Sequence, residues 1–451
     1  MSMKRKAASR SVPPPRRGRW LSRTWLAILL SVAALVAAVQ IWRSTAPPPP
    51  PVVDTAGFDP MIAAAIMQAR EAVLHSPRSA GARGQMGMVL LAHEVRAEAR
   101  MCFAQAITLA PREPRWPYFL GLAQLVDNPM AAATNLARAV RLFPESETAP
   151  RLRLADTFLG LGRIEEAAAL YRHVRQREAN SAPAALGLGK VAIAQDRAAE
   201  AVPFLEAATN APATRKAAHR LLLNVQQRLG RTNQAEQAAR ILAELPNDQS
   251  WPDPFQAEIE QRKTGEKAWT DLGDEWIKAG RVAEAARLLE KTVQTYPKSD
   301  RALFFLGRAR LRLGDPAGAE TVLARAVQLA PDSVEAQMQL GVLRLSRGRA
   351  TAAQPCFRAA IRAKPNLGEA WFNLGLSLGS GINRAESITA FREAIRLKPG
   401  LIEAYLGLAV VLRADGQAPA SALELHRALD LQPEESLRQK LLDQLKLVEQ
   451  P

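Results

Sequence analysis

The first residues to consider are those whose type and spacing could support a reaction. Gly375-Leu376-Ser377-Leu378-Gly379 sets a serine between two glycines at the spacing of a nucleophile elbow, which needs a strand-turn-helix setting to lift the hydroxyl out of the fold. Here the pentapeptide falls inside a helical stretch, so Ser377 is expected to be an ordinary helix residue. Gly187-Leu188-Gly189-Lys190 lacks the third glycine and the preceding strand that a dinucleotide site requires, and no phosphate-binding G-x-x-x-x-G-K-[ST] loop occurs. His75, His93, His173, His219 and His426 are scattered without metal-ligand spacing. Cys102 and Cys356 lie far apart with no CxxC partner and read as small buried hydrophobes. The expectation is a chain that is not an enzyme and has no catalytic, cofactor or metal site.

What could position functional groups must therefore be sought in larger patterns. The formal net charge of +16 would suggest nucleic acid, but residues 1–24 alone carry eight cations and no acid, and the remainder is thinly spread. No nucleic-acid partner is expected. After that basic tail, Trp25 to Trp42 is an 18-residue run without charge. As a helix it would be about 27 Å long, near the thickness of a bilayer's hydrocarbon core. Trp25 and Trp42 stand where indole rings favour the headgroup layer, and cations concentrate before the run. The expectation is a single-pass membrane protein with a cytoplasmic N-terminus and an extracytoplasmic, periplasmic remainder. The alternative is export after signal cleavage, near Val36-Ala37-Ala38. Residues 43–57, with Pro47 to Pro51, read as an extended spacer.

Further on, Pro297, Pro331, Pro365, Pro399 and Pro433 recur every 34 residues. Aligned on them, Leu272-Gly273, Leu306-Gly307, Leu340-Gly341 and Leu374-Gly375 superpose, as do Ala285, Ala319, Ala353, Ser387 and Ser421. The phase persists upstream with drift, through Met86-Gly87, Phe103, Ala106 and Pro111, then Leu120-Gly121, Tyr171, Leu188-Gly189 and Ala235. These residues resemble the tetratricopeptide-repeat (TPR) family, and Glu369 to Gly375 with Phe391, Ala394 and Pro399 matches its pattern best. The resemblance covers roughly residues 58–448. It implies an all-α superhelical solenoid of helix-turn-helix repeats, here about ten of them, that binds proteins; the uncharged run adds one transmembrane helix before it. Small residues at the helix crossings suit this packing physically.

The expected organisation is a basic cytoplasmic tail (1–24), a transmembrane helix (25–42), a Pro-rich linker (43–57) and a first sub-array (58–246). A joint follows at 247–265, where Trp251-Pro252-Asp253-Pro254-Phe255 opposes a regular helix, then a second sub-array of five repeats (266–435) and a capping helix (436–451). In this family the concave surface is lined by the first helix of each repeat. The resemblance then implies a peptide groove made of Lys267, Lys278, Arg301, Arg308 and Arg312 at one end and Met338, Val342, Phe372, Leu376, Leu406 and Val410 further on. Such a groove suits a protein or peptide ligand with an acidic end and apolar anchors. Two roles are compatible with it: a membrane-anchored scaffold or chaperone for envelope proteins, or a non-catalytic regulatory or substrate-presenting subunit of an envelope enzyme complex.

Overall fold

The computed structural model describes residues 19–44, 47–249, 251–379 and 383–449, with side chains of the first helix described over 25–37. Most of the basic tail and the end of the expected membrane span thus lie outside the described side chains. The described residues are helical throughout, with no strand. Helix α1 runs Arg19–Ser44, and its described side chains are exposed. Among the described residues no helix is long and apolar enough to cross a membrane.

The rest divides into two compact units, 1–263 and 264–451, the boundary falling within the expected joint. In the first unit a single helix, α2 (Pro60–His75), precedes five antiparallel pairs. These are α3 (Ala80–Ala92) with α4 (Arg96–Leu109), α5 (Arg115–Gln124) with α6 (Pro129–Leu142), α7 (Ala149–Gly160) with α8 (Ile164–Arg177), α9 (Ala182–Ala194) with α10 (Ala198–Ala208), and α11 (Arg215–Arg228) with α12 (Thr232–Glu244). A short helix, α13 (Pro254–Glu260), closes this unit. The second unit has five pairs as well: α14 (Glu266–Lys278) with α15 (Val282–Thr295), α16 (Asp300–Arg312) with α17 (Pro316–Leu329), α18 (Val334–Ser346) with α19 (Ala350–Ala363), α20 (Gly368–Gly379) with α21 (Arg384–Leu397), and α22 (Ile402–Ala414) with α23 (Ala418–Asp430). Helix α24 (Glu435–Glu449) covers the last pair with Leu441 and Leu445, both buried.

Sequence dictates the pairing locally. A Cβ at Gly375 would come within 2.9 Å of the Phe391 ring, and one at Gly307 within 2.6 Å of Leu323, so glycine is what lets the two helices of these pairs approach. The turn inside a repeat needs a residue with positive φ, supplied by Gly162, Gly230, Gly280, Gly314, Gly348 and Gly416. Within each unit several first helices also touch the first helix of the next repeat, whereas second helices make no comparable contact with one another. The first helices are the crowded, inner row.

Two expectations need correction. The Pro-rich linker is not wholly a free spacer: Pro50 and Pro51 are buried, and buried Arg83 of α3 donates to the carbonyls of Pro48 (2.8 Å) and Pro77 (2.9 Å). The supposed break at 251–255 begins a helix. Pro254 occupies its first turn, where no backbone donor is needed, and the Asp253 carboxylate caps it by accepting from the amides of Phe255 (3.0 Å) and Gln256 (3.1 Å).

Candidate functional site

The Leu-Gly register identifies equivalent positions on all first helices. Two residues before its leucine come Tyr118, Phe304, Met338, Phe372 and Leu406; two after it come Arg308, Val342, Leu376 and Val410; five before it come Arg115, Lys267 and Arg301. In the second unit these positions lie on the inner row of α14, α16, α18, α20 and α22. Val342, Leu376 and Val410 are 41%, 38% and 40% exposed, and Met338, Phe372 and Leu406 are half-buried beneath them. Phe372 leans on the Phe391 ring at a centroid distance of 6.0 Å. An aliphatic strip thus repeats across three adjacent helices.

The basic end differs from a free cationic patch. Arg301 pairs with Asp271 (2.8 Å), while Asp274 receives both Lys278 (2.6 Å) and Arg308 (3.0 Å). Arg312 donates to the carbonyl of Ile277 (2.6 Å), and Lys267 is exposed. Much of the positive charge is therefore compensated by the neighbouring first helix, and Lys267 and Arg312 alone of this set lack a carboxylate among the described residues. The pairing aspartates occupy positions that periodicity of the cations does not reveal.

In the first unit the inner row is covered. The chain leaves α12, caps α11 through Asp248, which accepts from the amides of Lys216 (2.6 Å) and Ala217 (2.8 Å), then runs back across α7, α5 and α3. Trp251 lies against the Arg153 guanidinium, 4.7 Å from the ring centroid. The Asp253 carboxylate, 1% exposed, accepts from Tyr118 (2.6 Å) and Arg153 (2.8 Å). Phe255 packs among Tyr118 and Phe143 at 5.0 and 4.9 Å, Ile259 is buried, Glu258 pairs with Arg115, and Arg262 donates to Gln85. Burial first, then the adjacent Asp253 charge, push the Tyr118 phenol far above its usual pKa, so it remains a donor. For Arg153 burial opposes the charged form, yet Tyr118 and Asp253 outweigh it and raise its pKa.

This second set was missed by periodicity, although one signal was present. Trp116 to Ala123 is buried on every side of α5, and a helix apolar all round must be covered on both faces. Ser377 sits in the last turn of α20, 2% exposed, donating to the Leu374 carbonyl at 2.8 Å, which leaves no elbow geometry. Among the described residues no group of three or more His, Cys, Asp or Glu could hold a metal ion.

The geometry defines an all-α repeat protein whose inner helices present extended strips of side chains. Tetratricopeptide-repeat family models match residues 158–225, 270–334 and 310–375. Those stretches of the chain are tetratricopeptide repeats. No curated protein matches it. Among solved structures, YrrB, described as a TPR protein with an unusual peptide-binding site, is 18% identical, with a TM-score of 0.39 over 43% of this chain and 98% of its own. A MamA crystal structure is 26% identical (TM-score 0.35, 37% of this chain, 91% of its own), and MamA of Desulfovibrio magneticus RS-1 is 23% identical (TM-score 0.35, 37% and 94%).

Proposed function

We propose that the protein is a membrane-anchored scaffold or chaperone that holds envelope proteins by an extended or helical segment laid along the inner face of its second unit. The observation that carries this reading is the recurrence of Val342, Leu376 and Val410, exposed aliphatic residues one repeat apart on α18, α20 and α22. Isolated exposed aliphatics are unremarkable, but a strip in register on successive helices fits apolar anchors of one ligand. Lys267 and Arg312 extend it toward an acidic end of that ligand. In this reading the anchor is the uncharged run 25–42, which rests on the sequence alone, with the cations of the tail on the cytoplasmic side.

A photoreactive residue placed at Val342, Leu376 or Val410 in native membranes should give the same discrete adducts from all three positions. Exposed Leu423, on the second helix α23, serves as the control. Equal labelling from Leu423 would overturn the assignment of the strip. Protease added to spheroplasts should digest the array, and full protection would exclude the proposed topology.

A further inference from the structure

The segment 251–262 makes the kind of contacts a ligand makes. It crosses three first helices in turn, and each offers polar side chains: Arg153 of α7 to Asp253, Tyr118 and Arg115 of α5 to Asp253 and Glu258, Gln85 of α3 to Arg262. Arg115 stands at the same register position as Lys267 and Arg301 of the second unit, so the first unit uses the inner-row positions that the second leaves uncovered. Between these clamps Phe255 and Ile259 fill apolar hollows. We propose that residues 251–262 are a resident ligand of the first unit. The inner face of α3, α5 and α7 is then a binding site for a partner peptide of the same chemistry: a carboxylate capping a short helix, an aromatic residue two positions on and an aliphatic one four further, as in Asp253-Pro254-Phe255-Gln256-Ala257-Glu258-Ile259. This assignment stands independently of the role of the second unit.

Three features mark the segment as exchangeable. First, a seven-residue helix has no stability of its own in water, so α13 persists through its contacts with the groove and leaves it by local opening. Second, the segment leaves the groove incompletely used. Beside Trp251 and Asp253 remains a cavity of about 710 Å³ lined by Arg153, Ala213, Gln249, Gln256 and Glu260, and the Nε atoms of Arg153 and Arg115 are buried without a hydrogen-bond partner among the described residues. A carboxylate meeting either guanidinium in a two-bond fork would be held better than Asp253 or Glu258 is. Third, covalent tethering makes weak affinity sufficient: at an effective concentration on the order of 1 mM, a segment of intrinsic Kd about 10–100 μM fills its site about 90–99% of the time. A partner in trans then sees an apparent affinity lowered by about 10- to 100-fold.

The test uses the full chain in detergent and a fluorescent synthetic peptide of residues 249–263. The wild-type chain should bind this peptide weakly. The variant Asp253→Ala/Phe255→Ala/Ile259→Ala, with its own segment disabled, should bind it at least about tenfold more tightly. A peptide carrying the same three alanines should fail to bind, and adding Arg153→Ala to the opened chain should abolish the gain. Absence of binding to the opened variant, whether its helix content is retained or lost, overturns the proposal. Hydrogen exchange on the unaltered chain gives a separate reading: amides of 255–262 should exchange faster than those of α5 and α7. Exchange of the segment only together with α5 would make it permanent core and would also overturn the proposal.

Discussion

Arg153 and Asp253 show how far a single buried pair can reach. Removing the guanidinium by Arg153→Met leaves a carboxylate that is 1% exposed without its countercharge, held by the Tyr118 hydroxyl and the amides of Phe255 and Gln256, a loss on the order of 3 kcal/mol, tempered because Arg153 itself is 22% exposed. Tyr118→Phe leaves the charge pair intact and should cost about 1 kcal/mol. Urea unfolding monitored by circular dichroism should rank the two in that order. His93, at the end of α3, adds a pH dependence. Burial lowers its pKa and outweighs the opposing Arg262 backbone, with Lys263 lowering it and Asp59 raising it by less. The unfolded state therefore binds the proton more readily, so this residue's stabilising contribution is full above about pH 6.5 and fades as the pH falls through the lower folded value. His93→Gln should flatten the acid side of the stability profile, and an unchanged profile would remove His93 from the account. At this scale the sequence was informative where position alone decides, as at Ser377, whose helical setting was already legible. It was silent where a partner decides, as at Arg301 and Arg308, whose aspartate partners come from a different helix.

Among elements, the helix pairs were legible because their spacing is written directly in the Leu-Gly pairs and in the small residues they cross. Gly375→Leu should overpack α20 against Phe391 and cost about 1–3 kcal/mol. Gly84→Ala is the sharper case, since its Cβ would come 2.1 Å from the rigid Trp116 ring. Asp196 holds the left-handed turn position, φ 60°, that Gly162 and Gly230 hold one repeat before and after. Asp196→Gly should thus raise stability by up to about 1 kcal/mol, read as a higher urea midpoint, with only an exposed pair to Arg228 lost. Helix α13 was not legible as an element, because two prolines and an acid read as a break when taken alone. The same residues form a good helix start once the groove supplies partners for Asp253 and Phe255. The unbroken apolar run of α5 was the available sign that something covers it.

For the whole molecule, the repeated architecture was readable, whereas which of its inner faces is open was not, since coverage depends on where a connecting segment turns back. Long-range charge should matter little to the second unit's binding. With Asp271 and Asp274 already beside the cations, affinity for an acidic peptide should fall only modestly between low and physiological salt, whereas Leu376→Glu with Val410→Glu should weaken binding at every salt concentration. Calorimetry at two ionic strengths would separate these effects. The clasp between Arg83 and Pro48 carries a spatial consequence. Only residues 45–47 separate the end of α1 from the docked Pro48, and the four steps from Ser44 to Pro48 reach about 14 Å at most. If α1 lies in a bilayer, the first unit rides against its surface on a short leash, and partners would meet it by searching a thin layer along the membrane in place of the full volume beyond it.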